Sequence, residues 1–570
     1  MSHPLNQPIA DLLAELSLLL ELSGENTFRI RAYASAARAV EACDQPLAEL
    51  AACGQLQSIP GIGPGVAGLI TSFCETGAAP ELAQLKAGIP PGLVQMLRIP
   101  GLGPKKVRAI HLQLGLSTLG ELEAACRDGR LSSLSGFGAK SQENILRALD
   151  TLNQYQGLFR LDTAADTARQ LLADLGPLAQ RLELAGSLRR SLEVVDGVDL
   201  VACAADPAAL SGALQAHPFA SRPLGETAIE AADALPVTLH LATESAFAAA
   251  LLHHTGNAAH LDQLRAHADQ QGLRLEAGGL FRGADRVPCT DEQSLYAALG
   301  LQYIPPELRE GCGEVEAASR FALPALVQRA DLLGALHVHS TYSDGHHILG
   351  EMARAAMARG YQYLGICDHS RSAAYARGLQ IEDLRRQGEE IALLNEQLAP
   401  FRILAGVESD ILAEGELDYP DEVLESLDLV VVSVHSRFGL KREQMTRRIC
   451  RALEHPCAAI LGHATGRLLL EREPYALDVD AVIETAAANQ VAIELNANPY
   501  RLDLDWRYLR QAAGLGVPIA LNTDAHAVDQ FEYDELGVAL ARKAWLQPAQ
   551  VLNTRSAADL AAWLAARKQR

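Results

Sequence analysis

Seven short apolar runs in the last part of the chain constrain its fold more than any other feature. Each run ends in polar residues, and stretches of helical length separate them. The runs are 336–339, 364–369, 404–408, 431–435, 460–463, 493–496 and 520–526. Buried parallel strands read as continuous apolar runs, and the carboxyl ends of barrel strands share one face. The pattern therefore predicts a β/α barrel of about seven strands with one polar rim.

Histidine, aspartate or glutamate ends six of these seven runs. His337 and His339 are two residues apart and so share a strand face, as do Asp524 and His526. Packing does not explain this pattern, because burying polar groups without partners costs free energy. The runs therefore predict a metal site on the rim of the barrel. Mixed imidazole and carboxylate ligands suit manganese, zinc or iron better than magnesium.

Three Gly-apolar-Gly loops lie in the first part of the chain, between helical patterns, at residues 59–66, 99–107 and 134–140. Glycine allows positive φ and close approach, and the amides that open the next helix can hold a backbone phosphate. The loops resemble helix-hairpin-helix motifs and predict DNA binding without sequence readout. The candidate contacts are Gly61, Gly63, Gly101, Gly103, Lys105, Lys106, Gly136 and Gly138.

Length and composition limit the remaining possibilities. A chain of 570 residues is expected to form about three to five domains. The net charge of −21 argues against nucleic-acid binding by the whole surface, but it allows local phosphate contacts. The ten cysteines show no framework spacing, which favours reduced thiols. The apolar run near residue 16 is bracketed by Glu15 and Glu21, so it predicts an amphipathic helix and not a signal peptide.

A Gly-Ser-x-Arg-Arg segment at residues 186–190 precedes Asp196-Gly197-Val198-Asp199. Together with the hairpin loops before it and the metal-rich region after it, this segment resembles bacterial family X DNA polymerases that carry a PHP (polymerase and histidinol phosphatase) domain. The resemblance extends over essentially the whole chain. Other matching segments are 26–33, 255–260 and the proline-punctuated 303–310.

The resemblance implies a multidomain fold. Residues 1–155 would form a helical, helix-hairpin-helix DNA-binding region that includes the fingers. An α/β nucleotidyltransferase palm would follow at 156–245 and a thumb at 246–315. A linker at 316–332 would lead to the PHP phosphoesterase domain at 333–570, which is the predicted barrel.

The palm segment departs from the family pattern at two catalytic aspartates. The family has Asp-x-Asp where this chain has Gly197 and Asp199, and its third aspartate corresponds to Thr238. Asp196 is three residues from Asp199, so the two do not share a strand face unless a bulge intervenes. We therefore expect templated synthesis to be weak or absent. Gly186, Ser187, Arg189, Arg190 and Asp199 are predicted to form a nucleotide-binding remnant.

The PHP pattern, by contrast, is complete. The resemblance carries over nine positions as metal ligands and catalytic residues. They are His337, His339, Asp344, His369, Glu408, His435, His463, Asp524 and His526. Arg437, Arg467 and Asn496 are further candidates for binding phosphate. The resemblance implies a cluster of two or three divalent ions, with manganese favoured and zinc or iron as alternatives.

The leading hypothesis is a DNA-repair enzyme with metal-dependent 3′-to-5′ exonuclease and 3′-end phosphoesterase activity in the PHP domain. The implied partner is gapped or 3′-ended DNA, bound without sequence specificity, and the implied location is the bacterial cytoplasm, at the nucleoid. One alternative is a bifunctional enzyme that also fills gaps. A second is a PHP phosphatase that acts on small phosphate esters.

Overall fold

The computed structural model describes residues 6–41, 43, 45–77, 79–97, 99 and 101–569. The chain divides into two compact units, Met1–Gln156 and Gly157–Arg570. Pro100, which belongs to the second hairpin motif, lies outside the described residues. Within the described ranges, no helix is both long enough and apolar enough to cross a bilayer.

The first unit is helical, and its helices pack around two apolar clusters centred on residues such as Leu13 and Val107. Each glycine hairpin has the same local form. Gly61, Gly101 and Gly136 adopt positive φ. The second glycine of each hairpin then caps a helix. The helices are Asn6–Ser23, Thr27–Glu41, Leu47–Ala52, Pro64–Thr76, Pro80–Gly88, Pro91–Met96, Pro104–Leu114, Leu119–Arg127 and Ala139–Gln154.

The second unit begins with a five-stranded sheet, which is the predicted palm. Its strands, in spatial order, are Arg181–Ala185, Val198–Cys203, Pro236–Leu241, Ala228–Glu230 and Arg222–Gly225. Only the second and third strands of this order run parallel, and they place Asp199 beside Thr238. A further short pair joins Phe159–Arg160 to Val194–Val195. Helices Leu161–Leu175, Gly186–Arg189 and Pro207–Gln215 accompany the sheet.

A second set of helices and a small antiparallel sheet follow the palm. The helices are Phe247–Thr255, Ala258–Gln270, Glu292–Ala298 and Glu314–Ser319. The strands are Arg274–Glu276, Gly279–Arg282 and Asp285–Val287. Their core includes the fully buried Tyr296, whose hydroxyl lies 2.8 Å from Nε2 of His260.

Seven parallel strands form the rest of the unit, and they pair strictly in chain order. They are Gly334–Val338, Tyr363–Ile366, Arg402–Asp410, Leu429–Ser433, Ile460–Leu461, Ala492–Asn496 and Ile519–Asn522. A parallel bridge between Val338 and Ala525 links the first strand to the end of the last, so the sheet nearly closes. The predicted fold class is confirmed: a helical hairpin region, a palm and thumb, and a seven-stranded β/α barrel.

Helices surround the barrel, as the spacing of the apolar runs predicts. They are Leu349–Ala358, Ile381–Leu398, Asp421–Ser426, Arg442–Leu453, Val479–Asn489, Trp506–Gly514, Asp534–Lys543 and Ala557–Lys568. The strands are almost entirely buried, with every residue of Gly334–Val338 and Ala492–Asn496 inside. The polar residues that follow the strands therefore converge at one end of the barrel.

Candidate metal centre

Glu408 lies at the centre of the polar rim. Its side chain is 1% exposed, and imidazole nitrogens surround it. His369 Nδ1 lies 2.8 Å from Oε2, and His463 Nε2 lies 2.9 Å from Oε1. His435 Nε2 and His337 Nε2 lie 3.3 Å and 3.5 Å from Oε1. One carboxylate thus joins residues from four other strand ends.

Three groups of side chains have ligand atoms that lie within 4.8 Å of one another. They are His339, Asp344, His369 and His526; His337, His339 and Asp524; and His369, Glu408 and His435. His339 and His369 each belong to two groups, so the groups form one continuous cluster. His463 joins it through Glu408. The structure therefore brings all nine predicted positions together.

Two buried carboxylates that the sequence did not single out orient these imidazoles. Glu494 Oε1 lies 2.7 Å from Nδ1 of His337, and Asp410 Oδ1 lies 2.6 Å from Nδ1 of His435. A carboxylate on one ring nitrogen directs the other nitrogen toward a metal. A signal for both was present in the sequence, since each is a charged residue within a strand whose residues are mostly buried.

Electrostatic effects within the cluster are large. Burial opposes the charged form of Glu408, but His435, His369 and His337 outweigh it and hold its pKa well below the usual range. Burial also opposes protonation of His435, yet Glu408 and Asp410 raise its pKa to about 10. Acidic and basic groups so close together are the arrangement expected of a site that replaces protons with cations.

The polar atoms left without hydrogen-bond partners test whether a metal fits. Among the described residues, these buried atoms include His337 Nε2, His339 Nδ1, His369 Nδ1, Glu408 Oε2 and His463 Nδ1. His369 Nδ1 and Glu408 Oε2 lie 2.8 Å apart, but they are not aligned for a hydrogen bond. All five belong to predicted ligands. Buried polar atoms without partners are costly, and bound cations would satisfy imidazole and carboxylate atoms of this kind. The residues present therefore fit a divalent metal cluster.

The backbone is strained at two of the same positions. His463 has φ of 22° and Asp524 has φ of 53°, in the left-handed region that residues with a Cβ rarely adopt. Conformations of this kind cost about 1–3 kcal/mol each and concentrate at functional sites. The strain directs both side chains toward the rim.

Two of the three predicted phosphate ligands have other roles. Arg467 Nε donates to the carbonyl of Arg501 at 2.9 Å, and its NH1 lies 3.5 Å from Asp505. Asn496 is fully buried and donates to both Glu494 and Asp524 at 3.1 Å. These contacts engage donors of both residues within the protein, and their role as phosphate ligands stays a prediction. Arg437 is exposed.

A different arginine faces the cluster. Arg501 Nε lies 3.6 Å from Oδ2 of Asp524, and the Arg501 side chain is 21% exposed. Together with burial, its charge lowers the pKa of His463. Tyr375, 69% exposed, lies at the same rim with its ring centroid 5.9 Å from that of His369. The sequence offered no local signal for Arg501, since it lies in a loop five residues after a strand.

In the palm, Asp199 is the one residue that matches an aspartate of the family pattern, and its carboxylate already has a hydrogen-bond partner. His240 Nε2 lies 2.7 Å from Oδ1 of Asp199, and the His240 ring stacks on His254 at 3.6 Å. Thr238 fills the neighbouring position on the adjacent strand. A Cβ at Gly197 would lie 2.9 Å from the Pro236 carbonyl oxygen, so the backbone there is fitted to glycine.

The paired arginines of the palm motif point away from this carboxylate. Arg189 makes two hydrogen bonds to Glu292, at 2.8 and 3.1 Å. Arg190 Nε donates to Glu310 at 3.2 Å and is largely buried. Both guanidinium groups thus contact carboxylates of the segment after the palm sheet, and the nucleotide contact of the two arginines stays a prediction. Gly186 and Ser187 remain beside Asp199 and Asp196 respectively.

The hairpin glycines of the first unit are open to their surroundings. A Cβ added at Gly63, Gly101, Gly103, Gly136 or Gly138 would meet nothing within 4 Å. Lys105 is also open, with its side chain 87% exposed. Lys106 differs, because its Nζ donates to the Gly101 carbonyl at 2.9 Å within its own hairpin. Open loops with free amides leave room for a phosphate backbone.

Comparison with known proteins agrees with this architecture. Residues 4–79 match a helix-hairpin-helix domain and 94–151 a SAM-like helix-hairpin-helix tandem. Residues 250–310 match the DNA polymerase beta thumb, and 335–498 match the PHP domain. The DNA polymerase/3′-5′ exonuclease PolX of Bacillus subtilis is 37% identical over 566 residues, which cover 98% of each chain. The chain belongs to the family X DNA polymerases that carry a PHP domain.

The barrel is also similar to proteins without the polymerase half. A probable phosphatase of Syntrophotalea carbinolica is 27% identical over 229 residues, covering 38% of this chain and 90% of that protein. A probable phosphatase of Thermoanaerobacter is 28% identical over 230 residues, covering 38% of this chain and 89% of that protein. The chain therefore joins a metal-dependent hydrolase domain to helix-hairpin-helix and thumb domains that bind DNA.

Proposed function

We propose that this chain is a manganese-dependent 3′-to-5′ exonuclease and 3′-end phosphoesterase that acts on gapped or 3′-ended DNA in repair. The observation that carries the proposal is the cluster around Glu408, where nine ligand-competent side chains meet and five of their buried atoms have no hydrogen-bond partner among the described residues. The PolX relative, named as a polymerase and 3′-5′ exonuclease, supports the choice of reaction.

The side chains of the chain itself define how the site would work. His337, His339, Asp344, His369, Glu408, His435, His463, Asp524 and His526 would hold the ions. Bound divalent ions supply an activated water and stabilise charge on the leaving oxygen of a phosphodiester. Glu494 and Asp410 hold the imidazoles in the orientation that presents a free nitrogen. Imidazole-rich ligand sets favour manganese, zinc or iron over magnesium.

The hairpin loops favour DNA as the substrate. They offer phosphate-sized openings beside helix amides, with Lys105 exposed next to the second one. Contacts to phosphates position a duplex without reading its sequence. Substrates with gaps or free 3′ ends would thus bind through the first unit and the thumb, independent of base sequence.

The palm is proposed to have little or no polymerase activity. Nucleotidyl transfer uses carboxylates that hold two cations about 3.5–4 Å apart. Here Asp199 is paired with His240, and neither Gly197 nor Thr238 can supply a second carboxylate. Glu193 does not substitute, since it is buried and lies 3.6 Å from Arg467 of the barrel. Gap filling by a bifunctional enzyme is the first alternative.

The second alternative, a phosphatase for small esters, is favoured by the similarity of the barrel to probable phosphatases. It predicts that the hairpin region contributes nothing to turnover. Removing positive charge with Lys105→Glu would then leave activity on DNA unchanged. Under the leading proposal the same variant weakens DNA turnover but leaves turnover of a p-nitrophenyl phosphate ester unchanged.

The decisive experiment uses one 5′-labelled gapped DNA with manganese, with and without deoxynucleotides. Wild type is compared with the double variant His337→Ala/His339→Ala. Shortening of the primer by wild type, and none by the double variant, is the expected result. A His455→Ala variant is the matched histidine control, since this partly exposed side chain pairs with Asp421 at 3.4 Å on the outside of the barrel.

Extension distinguishes the alternatives in the same experiment. If both wild type and the double variant lengthen the primer when deoxynucleotides are present, the palm is active and the bifunctional alternative is correct. If wild type neither shortens nor dephosphorylates the 3′ end but hydrolyses the small ester, the phosphatase reading replaces the proposal.

A further inference from the structure

We infer that Arg501 binds the phosphate of the substrate, and that the palm positions Arg501 by holding the loop of residues 498–505. This inference rests on the proposed function of the barrel and deepens it. It also assigns a role to the palm that does not depend on polymerase chemistry.

Arg501 is the arginine best placed to bind an anion at the cluster. Its Nε lies 3.6 Å from Asp524, and this is its one ion pair within the described part of the chain. The charge of Arg501 also acts on His463 and Tyr375. Guanidinium carries five donors in a planar fork that matches phosphate. Most donors of Arg501 therefore remain available beside the predicted ligands. Its side chain is also mostly buried, which strengthens a charged hydrogen bond.

The other arginines at the rim lack this combination. Arg467 directs its donors to backbone carbonyls and to two carboxylates. Arg472 donates to the carbonyl of Gly466, and Arg371 pairs with Asp418 at 3.3 Å. Arg437 is exposed. Of these arginines, Arg501 is the one that forms an ion pair with a predicted metal ligand among the described residues.

The palm holds the 498–505 loop at two points. The guanidinium of Arg160, at the start of the palm, lies 3.7 Å from the ring centroid of Tyr500. Glu193, also in the palm, lies 3.6 Å from Arg467, and Arg467 in turn donates to the carbonyls of Arg501 and Leu502. The residue that faces the metal cluster is therefore bracketed by contacts that originate in the palm.

These contacts are suited to fixing a loop. Arg160 is also held by Asp162, with two hydrogen bonds of 3.1 Å, so its position over Tyr500 is determined on both sides. The guanidinium is attracted to the face of the aromatic ring, so this contact favours one position of Tyr500. Preorganising a phosphate-binding arginine lowers the entropy lost when substrate binds.

The test of Arg501 compares Arg501→Gln with Arg501→Lys and with Arg385→Gln, an arginine whose side chain is 71% exposed on the outer helix Ile381–Leu398. Steady-state hydrolysis of bis(p-nitrophenyl) phosphate with manganese gives kcat and KM, and electron paramagnetic resonance gives manganese affinity. We expect Arg501→Gln to raise KM at least about tenfold, Arg501→Lys to recover part of the loss, and manganese affinity to stay unchanged. A KM equal to that of Arg385→Gln, or a loss of manganese affinity, would overturn the assignment.

The test of the palm compares Arg160→Ala with Arg169→Ala. Arg169 lies on the palm helix Leu161–Leu175, and its side chain is 76% exposed. We expect Arg160→Ala to raise KM for the same diester two- to fivefold and to speed amide hydrogen exchange in residues 498–505. Exchange and KM equal to those of Arg169→Ala would show that the palm does not position the loop.

The two proposals fail in different ways. If wild type hydrolyses neither DNA nor the small diester, the proposed function is wrong, while hydrogen exchange still reports whether the palm holds the loop. If wild type is active and Arg501→Gln matches its control, the function stands and only the phosphate assignment falls.

Discussion

The palm sheet and the barrel of this chain each place polar side chains on parallel strands, but they differ in how many possible metal ligands they bring together. In the palm, Asp199 stands beside Thr238 and is paired with His240. In the barrel, Glu408 lies among four imidazoles that come from other strands. A metal site depends on several side chains converging, so a sheet can keep its fold where the carboxylates of such a site are replaced, as we propose for Gly197 and Thr238. A fold and the site it carries are therefore separable.

The largest expected effect tests the intact side of this comparison. Replacing Glu408 with glutamine removes the charge that lies among His337, His369, His435 and His463. We expect manganese-dependent DNA shortening to fall by about 1,000-fold or more, because the site would lose the carboxylate that contacts four of the predicted imidazole ligands. Single-turnover assays at saturating DNA measure the change. Near-normal activity would mean that Glu408 is not a ligand, and Glu390→Gln on the outer helix provides a carboxylate control.

The next largest effect concerns the stability of the buried ion pairs between the palm and the segment that follows it. Glu292 is buried between Arg309 and Arg189, at 2.5 and 2.8 Å. Glu292→Ala would leave two arginines without their carboxylate, and we expect it to lower the free energy of unfolding by about 3–5 kcal/mol. Urea denaturation measures this loss. Glu276→Ala, which breaks an exposed pair with Arg274, should cost less than about 1 kcal/mol.

The same carboxylate predicts a pH dependence. Burial opposes the charged form of Glu292, but Arg309 and Arg189 outweigh it and lower its pKa from 4.5 to about 2. Because the folded pKa is the lower one, its stabilisation is complete above about pH 4.5 and is lost as the pH falls toward 2. Wild type and Glu292→Ala should therefore converge in stability over that range. A constant difference between them would contradict the assignment.

A smaller effect is expected from the residues that orient the ligands. Asp410→Asn removes the negative partner of His435 Nδ1 but keeps its size. Such changes typically lower metal affinity or activity by 10- to 100-fold. Manganese titration followed by activity measures it, and excess manganese should recover part of the loss. A variant with unchanged manganese dependence would show that Asp410 does not act through His435.

Manganese binding should also release protons. In the metal-free protein, burial opposes the protonated form of both histidines. The carboxylates Glu408 and Asp410 nevertheless raise the pKa of His435 to about 10, and Asp344 with Asp524 raises that of His526 to about 9. Both imidazoles are therefore protonated at neutral pH and must lose a proton to bind metal. Calorimetry in buffers of different ionisation enthalpy should show release at pH 7 that disappears above about pH 10.

The barrel was predictable from sequence because its signal is local. The predicted ligands lie at or just after the ends of strands, so the runs alone placed His337, His463 and Asp524 on one rim. The arginines were not predictable in this way, since their partners are distant in sequence. Arg189 pairs with a residue 103 positions away and Arg190 with one 120 positions away. The sequence shows which side chains are charged, but it does not show which distant residue each of them pairs with.

The smallest expected effect concerns the palm. Asp199→Asn removes the last carboxylate of the palm in register with the family pattern, and its partly exposed pair with His240 is worth less than about 1 kcal/mol. We expect primer shortening to be unchanged and extension to stay absent, as measured on gapped DNA with manganese and deoxynucleotides. The converse variant, Gly197→Asp/Thr238→Asp, should also fail to extend, because a side chain at 197 meets the Pro236 carbonyl at 2.9 Å. If wild type extends the primer and Asp199→Asn does not, then one aspartate is enough for nucleotidyl transfer and the palm is an active polymerase.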